Sequence, residues 1–328
     1  MTPQHAWEAS YGVDELGRPV APAFHRLVMF DVVRPPDADD ARRLERTLRE
    51  LERSLLVLVG WGPRLAPVPR PVPLARDERA VMEDIDVCIH VAGDDEARVD
   101  AAVGALQIGE PLSLREVRTG FVGAGLPAER ANVPHDAPLL LGFHSGLRRN
   151  QASEAEITIP DGPLAGGTTM HVSRLALDLD AWYALDAEAR AALMYAPTVS
   201  AAAAATLAED APSDFERLPE AARAYGVVGH AQAAARARLN GRPRLNRRDF
   251  ATLDDGLPGT HFVSLQRDLA DFNATRAVMN AADAPGHHAS IGSRRNNGIN
   301  RFMRVLSRAN FAVPPRERRA SLGASRVQ

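Results

Sequence analysis

Apolar residues recur along this chain in two ways, as short strand-like runs and as longer stretches at helical spacing. Residues 24–33 (FHRLVMFDVV) predict a strand, stopped by Pro35 and Pro36. Over 37–58, leucines at 44, 48, 51, 55 and 58 with charges between them predict a helix. Gly60, Gly62 and Pro63 break that pattern, and the proline-rich stretch 64–79 predicts a long irregular connection. A strand is expected over 84–91 (DIDVCIHV), a helix over 96–106 and a strand over 114–121 (LREVRTGF). This alternation is that of a ferredoxin-like α+β unit.

A similar order returns further on. Residues 170–177 (MHVSRLAL) predict a strand and 179–194 a helix; 261–265 predict a strand, 269–279 a helix, and 311–313 a last strand before Pro314 and Pro315. The expected fold is therefore α+β, with two ferredoxin-like halves that repeat in architecture without repeating in sequence. We place an N-terminal half at 1–138, a C-terminal half at 139–316 and a basic, mobile tail at 317–328. The first twenty-odd residues are polar with scattered Gly and Pro and look like an arm, and the alanine-rich stretch 201–211 looks like a poorly ordered insertion.

Composition narrows the function classes. The 328 residues suit two average domains, and a net charge of −3 makes no electrostatic case for nucleic acid or an anionic membrane. Every cation is arginine, which excludes lysine-based mechanisms. The single cysteine, Cys88, lies in an apolar run and reads as a buried strand residue. With no internal disulfide to form, a reducing compartment is the default. MTPQHAWEAS lacks a basic and an apolar leader region, and the apolar stretches fall short of a membrane span. A cytoplasmic location follows as the expectation, with homo-oligomer formation left open.

Candidate chemistry concentrates at 226–250 (GVVGHAQAAARARLNGRPRLNRRDF). His230 heads an alanine-rich run, a turn signal follows at 240–243, and the pair Arg247 and Arg248 comes after it. A neutral imidazole at the start of a short helix can hold a metal or haem iron. A guanidinium returning after the turn can supply a fixed charge opposite it. Taken alone, a histidine near a helix start is more often a cap or a surface residue.

Several pieces together carry a resemblance. Leu141-Gly142-Phe143-His144-Ser145-Gly146 is followed by Gly166-Gly167-Thr168-Thr169-Met170-His171-Val172-Ser173-Arg174, then by the run through Trp182, the His230 segment, GTHFVSLQRD at 259–268 and NRFMRVLSRANFAVPP at 300–315. In this order they resemble the dye-decolorising peroxidases. That resemblance implies two ferredoxin-like domains of the dimeric α+β barrel type forming a haem-binding β-sandwich. It further implies haem b in the C-terminal domain, and oxidation of an electron donor, here unidentified, by hydrogen peroxide. It makes His230 the axial ligand of the iron and Arg247 the cation that stabilises bound peroxide, with Arg248 the neighbour if the register slips by one. Asp249 falls at a polar position beside the haem, Phe143, Gly146 and Phe250 at pocket positions, and Gly166-Gly167 near the haem edge.

Two departures bear on activity. Ser145 stands where the family's distal signature has an aspartate, and a hydroxyl cannot take the peroxide proton at neutral pH. His144 is the candidate substitute base. On the proximal side Asn297 stands where relatives have an aspartate that hydrogen-bonds the ligand histidine, which would weaken the push on the iron. The primary expectation is a peroxidase-type oxidoreductase. Its rival is a haem-binding protein for storage, sensing or transfer with little turnover. Among other candidates, His171 reads as a half-buried strand residue, His287 and His288 as an exposed loop pair, and Trp61, Trp182 and Tyr183 as packing residues.

Overall fold

The computed structural model describes residues 2–15, 17–123, 139–144, 146–147, 150–205 and 217–321. The N-terminal part runs β1 (Gly12–Val13), β2 (Pro19–Val20), β3 (Phe24–Val32), α1 (Ala38–Leu51), β4 (Leu56–Trp61), β5 (Val81–Met82), β6 (Val87–Gly93), α2 (Glu96–Ala105) and β7 (Leu112–Phe121). The C-terminal part holds α3 (Glu154–Ile157), β8 (Thr168–Leu177), α4 (Leu179–Tyr183), α5 (Ala187–Met194), α6 (Ala201–Ala204), α7 (Leu218–Tyr225) and α8 (His230–Ala235). It ends with β9 (Asn246–Arg247), β10 (Phe250–Thr252), β11 (Gly259–Gln266), α9 (Leu269–Met279) and β12 (Met303–Val313).

The main strands lie in the order β10-β7-β3-β6-β4-β12-β8-β11-β9, and β10 also pairs with β11. Through that second pairing the sheet closes on itself, so the expected β-sandwich is replaced by a barrel without two free edges. The closure is local: Ala251 pairs with Phe121 on one side and Thr260 on the other.

Period-two alternation sorts the strand residues to the two faces. Val28 and Phe30 of β3 and Val57 and Val59 of β4 join Leu44 and Leu48 of α1 and Val99 of α2 in one core outside the barrel. Leu27 and Met29, with Leu58, Met170, Val172, Phe250, Val263, Leu265 and Phe311, fill its interior. Burying such side chains contributes about 1.5–3 kcal/mol each.

Several sequence expectations change here. The helix expected over 37–58 stops at Leu51, because Leu55 and Leu58 belong to an apolar run that enters the sheet as β4. Asp37 starts that helix by accepting hydrogen bonds from the amides of Asp39 and Asp40. The helix expected over 179–194 is two helices, and β12 begins eight residues earlier than Phe311. The N-terminal arm is docked: Gln4 accepts from Val59 N (2.8 Å) and donates to Pro314 O (2.6 Å), and Trp7 is buried. At the other end, Arg319 is fully buried between Glu45 and Glu52, and Trp61 Nε1 donates to its carbonyl at 2.7 Å. The proposed boundary at 138, residues 206–216 of the alanine-rich insertion and residues 322–328 of the tail lie outside the described residues. No helix among those described is long and apolar enough to cross a membrane.

Candidate functional site

The outer face of β8, β11 and β12 is covered by α8 and α9, and between sheet and helices lies a cavity of 280 Å³. Its walls are mainly aliphatic and aromatic: Leu141, Leu175, Leu177, Phe262, Met279 and Ile299 are among them.

His230 enters this cavity from the first turn of α8. Gly229 before it lies so close to the end of α5 that a Cβ would fall 1.9 Å from Tyr195 O. On the other side Val228 N donates to Asn296 O (2.9 Å) and Gly298 N to Val228 O (2.7 Å). Gly298, with φ +53, packs on the His230 backbone. The imidazole is thus fixed at its root by backbone contacts from two directions, while no hydrogen bond among the described residues reaches its ring. Burial, then the charges of Arg276 and Arg247, hold its pKa down at about 3. It is neutral at ordinary pH, with a lone pair available for a metal.

Arg247 lies on β9, registered opposite Ser264. Its Nη2 donates to Gly146 O at 2.9 Å, and its backbone N to Gln151 Oε1 at 3.1 Å. Arg247 lines the cavity, as does Asp249 two residues on. Arg248 faces the other way, as alternation requires. Its guanidinium stacks 4.2 Å over Trp7, pairs with Glu154 at 3.2 Å and donates to His5 O. Arg248 therefore does not line the cavity, whereas Arg247 does.

Phe143, His144 and Gly146 line the cavity, and Phe143 sits edge-on to Tyr195 at 5.4 Å. Arg18 Nη2 donates to His144 Nε2 at 3.3 Å, so that nitrogen serves as an acceptor. Ser145 lies outside the described residues.

Two expected site residues are not at the cavity. Phe250 is fully buried inside the barrel, stacked on His25 with centroids 4.6 Å apart, because β10 turns it to the interior face. Asn297 is buried behind His230, where its Nδ2 donates to Asn280 O, Ala281 O and Ser293 O at 3.2–3.3 Å. Among the described residues its Oδ1 has no hydrogen-bond partner. The side chain staples three loop carbonyls, a task for an amide donor that a carboxylate could not perform. Gly167 packs against the end of β12, where a Cβ would meet Val313 O at 2.2 Å, and neither it nor Gly166 lines the cavity.

Sequence reading missed residues that the fold delivers. Phe272, Thr275, Arg276 and Met279 form one face of α9 and all line the cavity; a cation inside an otherwise apolar stripe was the available signal. Arg308 and Ser173 form part of the floor, with Arg308 Nη1 donating to Ser173 Oγ at 2.8 Å. Beside them His171 is not half-buried but enclosed: its Nδ1 donates to Asn310 Oδ1 (2.7 Å), and Ser173 Oγ lies 2.6 Å from its Nε2.

Comparison with known proteins agrees with this architecture. A family model described as "Family of unknown function (DUF7405)" matches residues 22–315. No curated protein matches the sequence. Among solved structures, the dye-decolorizing protein from V. cholerae superposes with a TM-score of 0.63 at 18% identity, covering 92% of this chain and 97% of that one. Ferric DtpA from Streptomyces lividans gives 0.63 at 22% identity, covering 93% and 92%. A DypB variant from Rhodococcus jostii RHA1 in complex with heme gives 0.59 at 18%, covering 92% and 96%. At these identities the likeness establishes a shared fold.

Proposed function

We propose, for a chain that belongs to the DUF7405 family of unknown function, that the cavity binds haem b through His230 and supports a peroxidase-type reaction. The observation that carries this reading is one neutral imidazole on the wall of an apolar cavity that is also lined by arginines. Among the described residues no group of three His, Cys, Asp or Glu side chains could hold a bare ion. A single imidazole suffices for a metal that brings its own equatorial donors, as iron does in a porphyrin. The apolar walls suit the faces of the macrocycle and the arginines its carboxylates. The strand orders β7-β3-β6-β4 and β12-β8-β11-β9 place equivalent strands alike in each half, which supports reading both as ferredoxin-like units.

Bound haem would supply an iron that takes up peroxide and holds oxidising equivalents for the donor. The chain's own residues do the rest. Arg247, anchored through one Nη2 contact to Gly146 O, keeps a fixed positive charge in the cavity, where it stabilises negative charge developing on a departing hydroxide. Asp249 is the carboxylate among the described cavity-lining residues, and its oxygen can accept and return the peroxide proton that Ser145 cannot hold. His144 suits that task less, because Arg18 already donates to its Nε2. Hydrogen peroxide is reduced to water while an external donor gives up the electrons.

A second reading, haem storage, sensing or transfer with little turnover, is favoured by that same Arg18–His144 contact together with the serine at 145. Stopped-flow mixing of haem-loaded protein with hydrogen peroxide separates the two. The peroxidase reading predicts a rapid spectral change that an added donor reverses. Slow bleaching alone would reject it in favour of the second.

A further inference from the structure

The cavity wall carries more positive charge than its neighbours balance. Arg238, Arg244, Arg247, Arg276 and Arg308 line it, against the single carboxylate of Asp249. Arg308 is held by Glu78 through two hydrogen bonds of 2.5 and 3.0 Å, and Arg244 meets Asp271 at 3.0 Å. Arg238 and Arg247 donate to neutral oxygens of Asn150 and Gly146. Arg276 differs from all four. Among the described residues no carboxylate pairs with it and no hydrogen bond reaches its guanidinium.

This cation also sits where desolvation is costly. Phe272, Thr275 and Met279 flank it on the cavity face of α9, and burial followed by repulsion from Arg308 lowers its pKa to about 10. It therefore stays charged at neutral pH. An ionised group with little water and no counter-ion destabilises the protein until an anion reaches it. Among the described residues only Arg308 and Arg244 have a carboxylate partner, Glu78 and Asp271, so the wall holds cations that an incoming anion can neutralise.

We propose that Arg276 anchors a carboxylate of the molecule bound in this cavity, which under the haem reading, on which this inference rests, is a propionate. The planar guanidinium fork suits a carboxylate in two-point contact, and no other arginine of the wall offers an unengaged one. Arg276 is thus a binding residue that fixes how the macrocycle is seated rather than a participant in the chemistry at the iron.

The test compares haem with its dimethyl ester, which keeps iron and ring but masks both carboxylates, in titrations of wild type, Arg276→Leu and Arg276→Lys. Wild type is expected to prefer the diacid by roughly 10- to 100-fold in Kd, the scale of a charge-assisted hydrogen bond. Arg276→Leu should lose most of that preference, and Arg276→Lys should keep much of it. Cofactor-free Arg276→Leu should melt no lower than wild type, since it removes an unpaired charge. An equal preference in wild type and Arg276→Leu overturns the proposal and leaves haem binding intact. An altered reduction potential with the preference unchanged would make Arg276 a field acting on His230, and overturns it as well. Absence of a Soret band in wild type with either compound would defeat the haem reading, and the propionate assignment with it.

Discussion

The barrel interior around Phe250 and the cavity around His230 are built from the same residue types, yet only the second has the character of a site. Inside the barrel Phe250 stacks on His25 and lies 5.5 Å or less from His90 and His261. His25 Nε2 donates to Pro22 O (2.8 Å), His90 Nε2 donates to His25 Nδ1 (3.0 Å), and His261 Nε2 donates to Asp254 Oδ2 (2.8 Å). Arg248 at the rim is shared between Trp7 and Glu154. In the cavity, the imidazole of His230 and the guanidinium of Arg276 face open volume without such partners among the described residues. Residue type does not distinguish the two regions. What does is that each barrel imidazole has at least one hydrogen-bond partner, although among the described residues His90 Nδ1 and His261 Nδ1 have none. The His230 ring and the Arg276 guanidinium have none at all among the described residues and face open volume. Arg247 and Arg248 make the point at its smallest scale, since one step along an extended chain sends one to the cavity and the other into the packed core.

The contrast can be broken by substitutions that should act on one region and spare the other. The largest effect is expected for Phe250→Ala, which should cost about 3–5 kcal/mol in urea unfolding as a core cavity opens. Haem bound per folded molecule should not change; a loss of haem would mean the two regions are coupled. Arg247→Leu should do the opposite. It is expected to slow peroxide consumption by about 10²- to 10³-fold while the melting temperature stays near that of wild type.

Acid should strike both regions. Burial holds the pKa of His25 and of His171 at about 3 in the folded protein, below the ordinary value of 6.5. The unfolded chain therefore binds more protons. The stability these neutral rings contribute is full above the ordinary value and is lost as pH falls towards the folded one. By about pH 5.5 the loss should be on the order of 1 kcal/mol for each histidine, measurable as a fall in melting temperature. A melting temperature flat between neutral and that pH would mean the rings are not buried neutral. An effect of similar size belongs to Asn297→Asp. Restoring a carboxylate behind His230 should destabilise by about 1–3 kcal/mol, because three loop carbonyls lose their common donor. An unchanged or raised melting temperature would show that the staple contributes little.

Much of this was legible in the sequence where local pattern and tertiary role agree. Strands at 24–33, 114–121 and 170–177 and the helix at 269–279 follow from periodicity, and the segment 226–250 points to His230 and Arg247, which the fold brings to one cavity wall. The failures share a cause, which is that partners distant in sequence decide. Leu58 fits a helical spacing until pairing with His90 of β6 claims it for the sheet, and Leu55 lies in the bend that leads into that strand. Arg308 and Asn310 disguise most of β12 as a polar segment, because their partners Glu78 and Pro69 come from the proline-rich connection more than two hundred residues earlier. The choice between Arg247 and Arg248 required the register of β9 on β11. Phe250 looks like a pocket residue until the closure of the barrel turns it inward. Arg276 was hidden by its neighbours, since a lone arginine on a helix reads as solvated unless the face it shares is known to be covered.

Haem titration of cofactor-free protein, followed through the Soret band in wild type, His230→Ala and His25→Ala, tests the central claim most directly. Wild type and His25→Ala should each take up one equivalent per folded chain, and His230→Ala should lose stoichiometric loading while remaining folded by circular dichroism. A folded His230→Ala protein with the wild-type Soret band and full occupancy would contradict the account, because the iron would then be held by some other group.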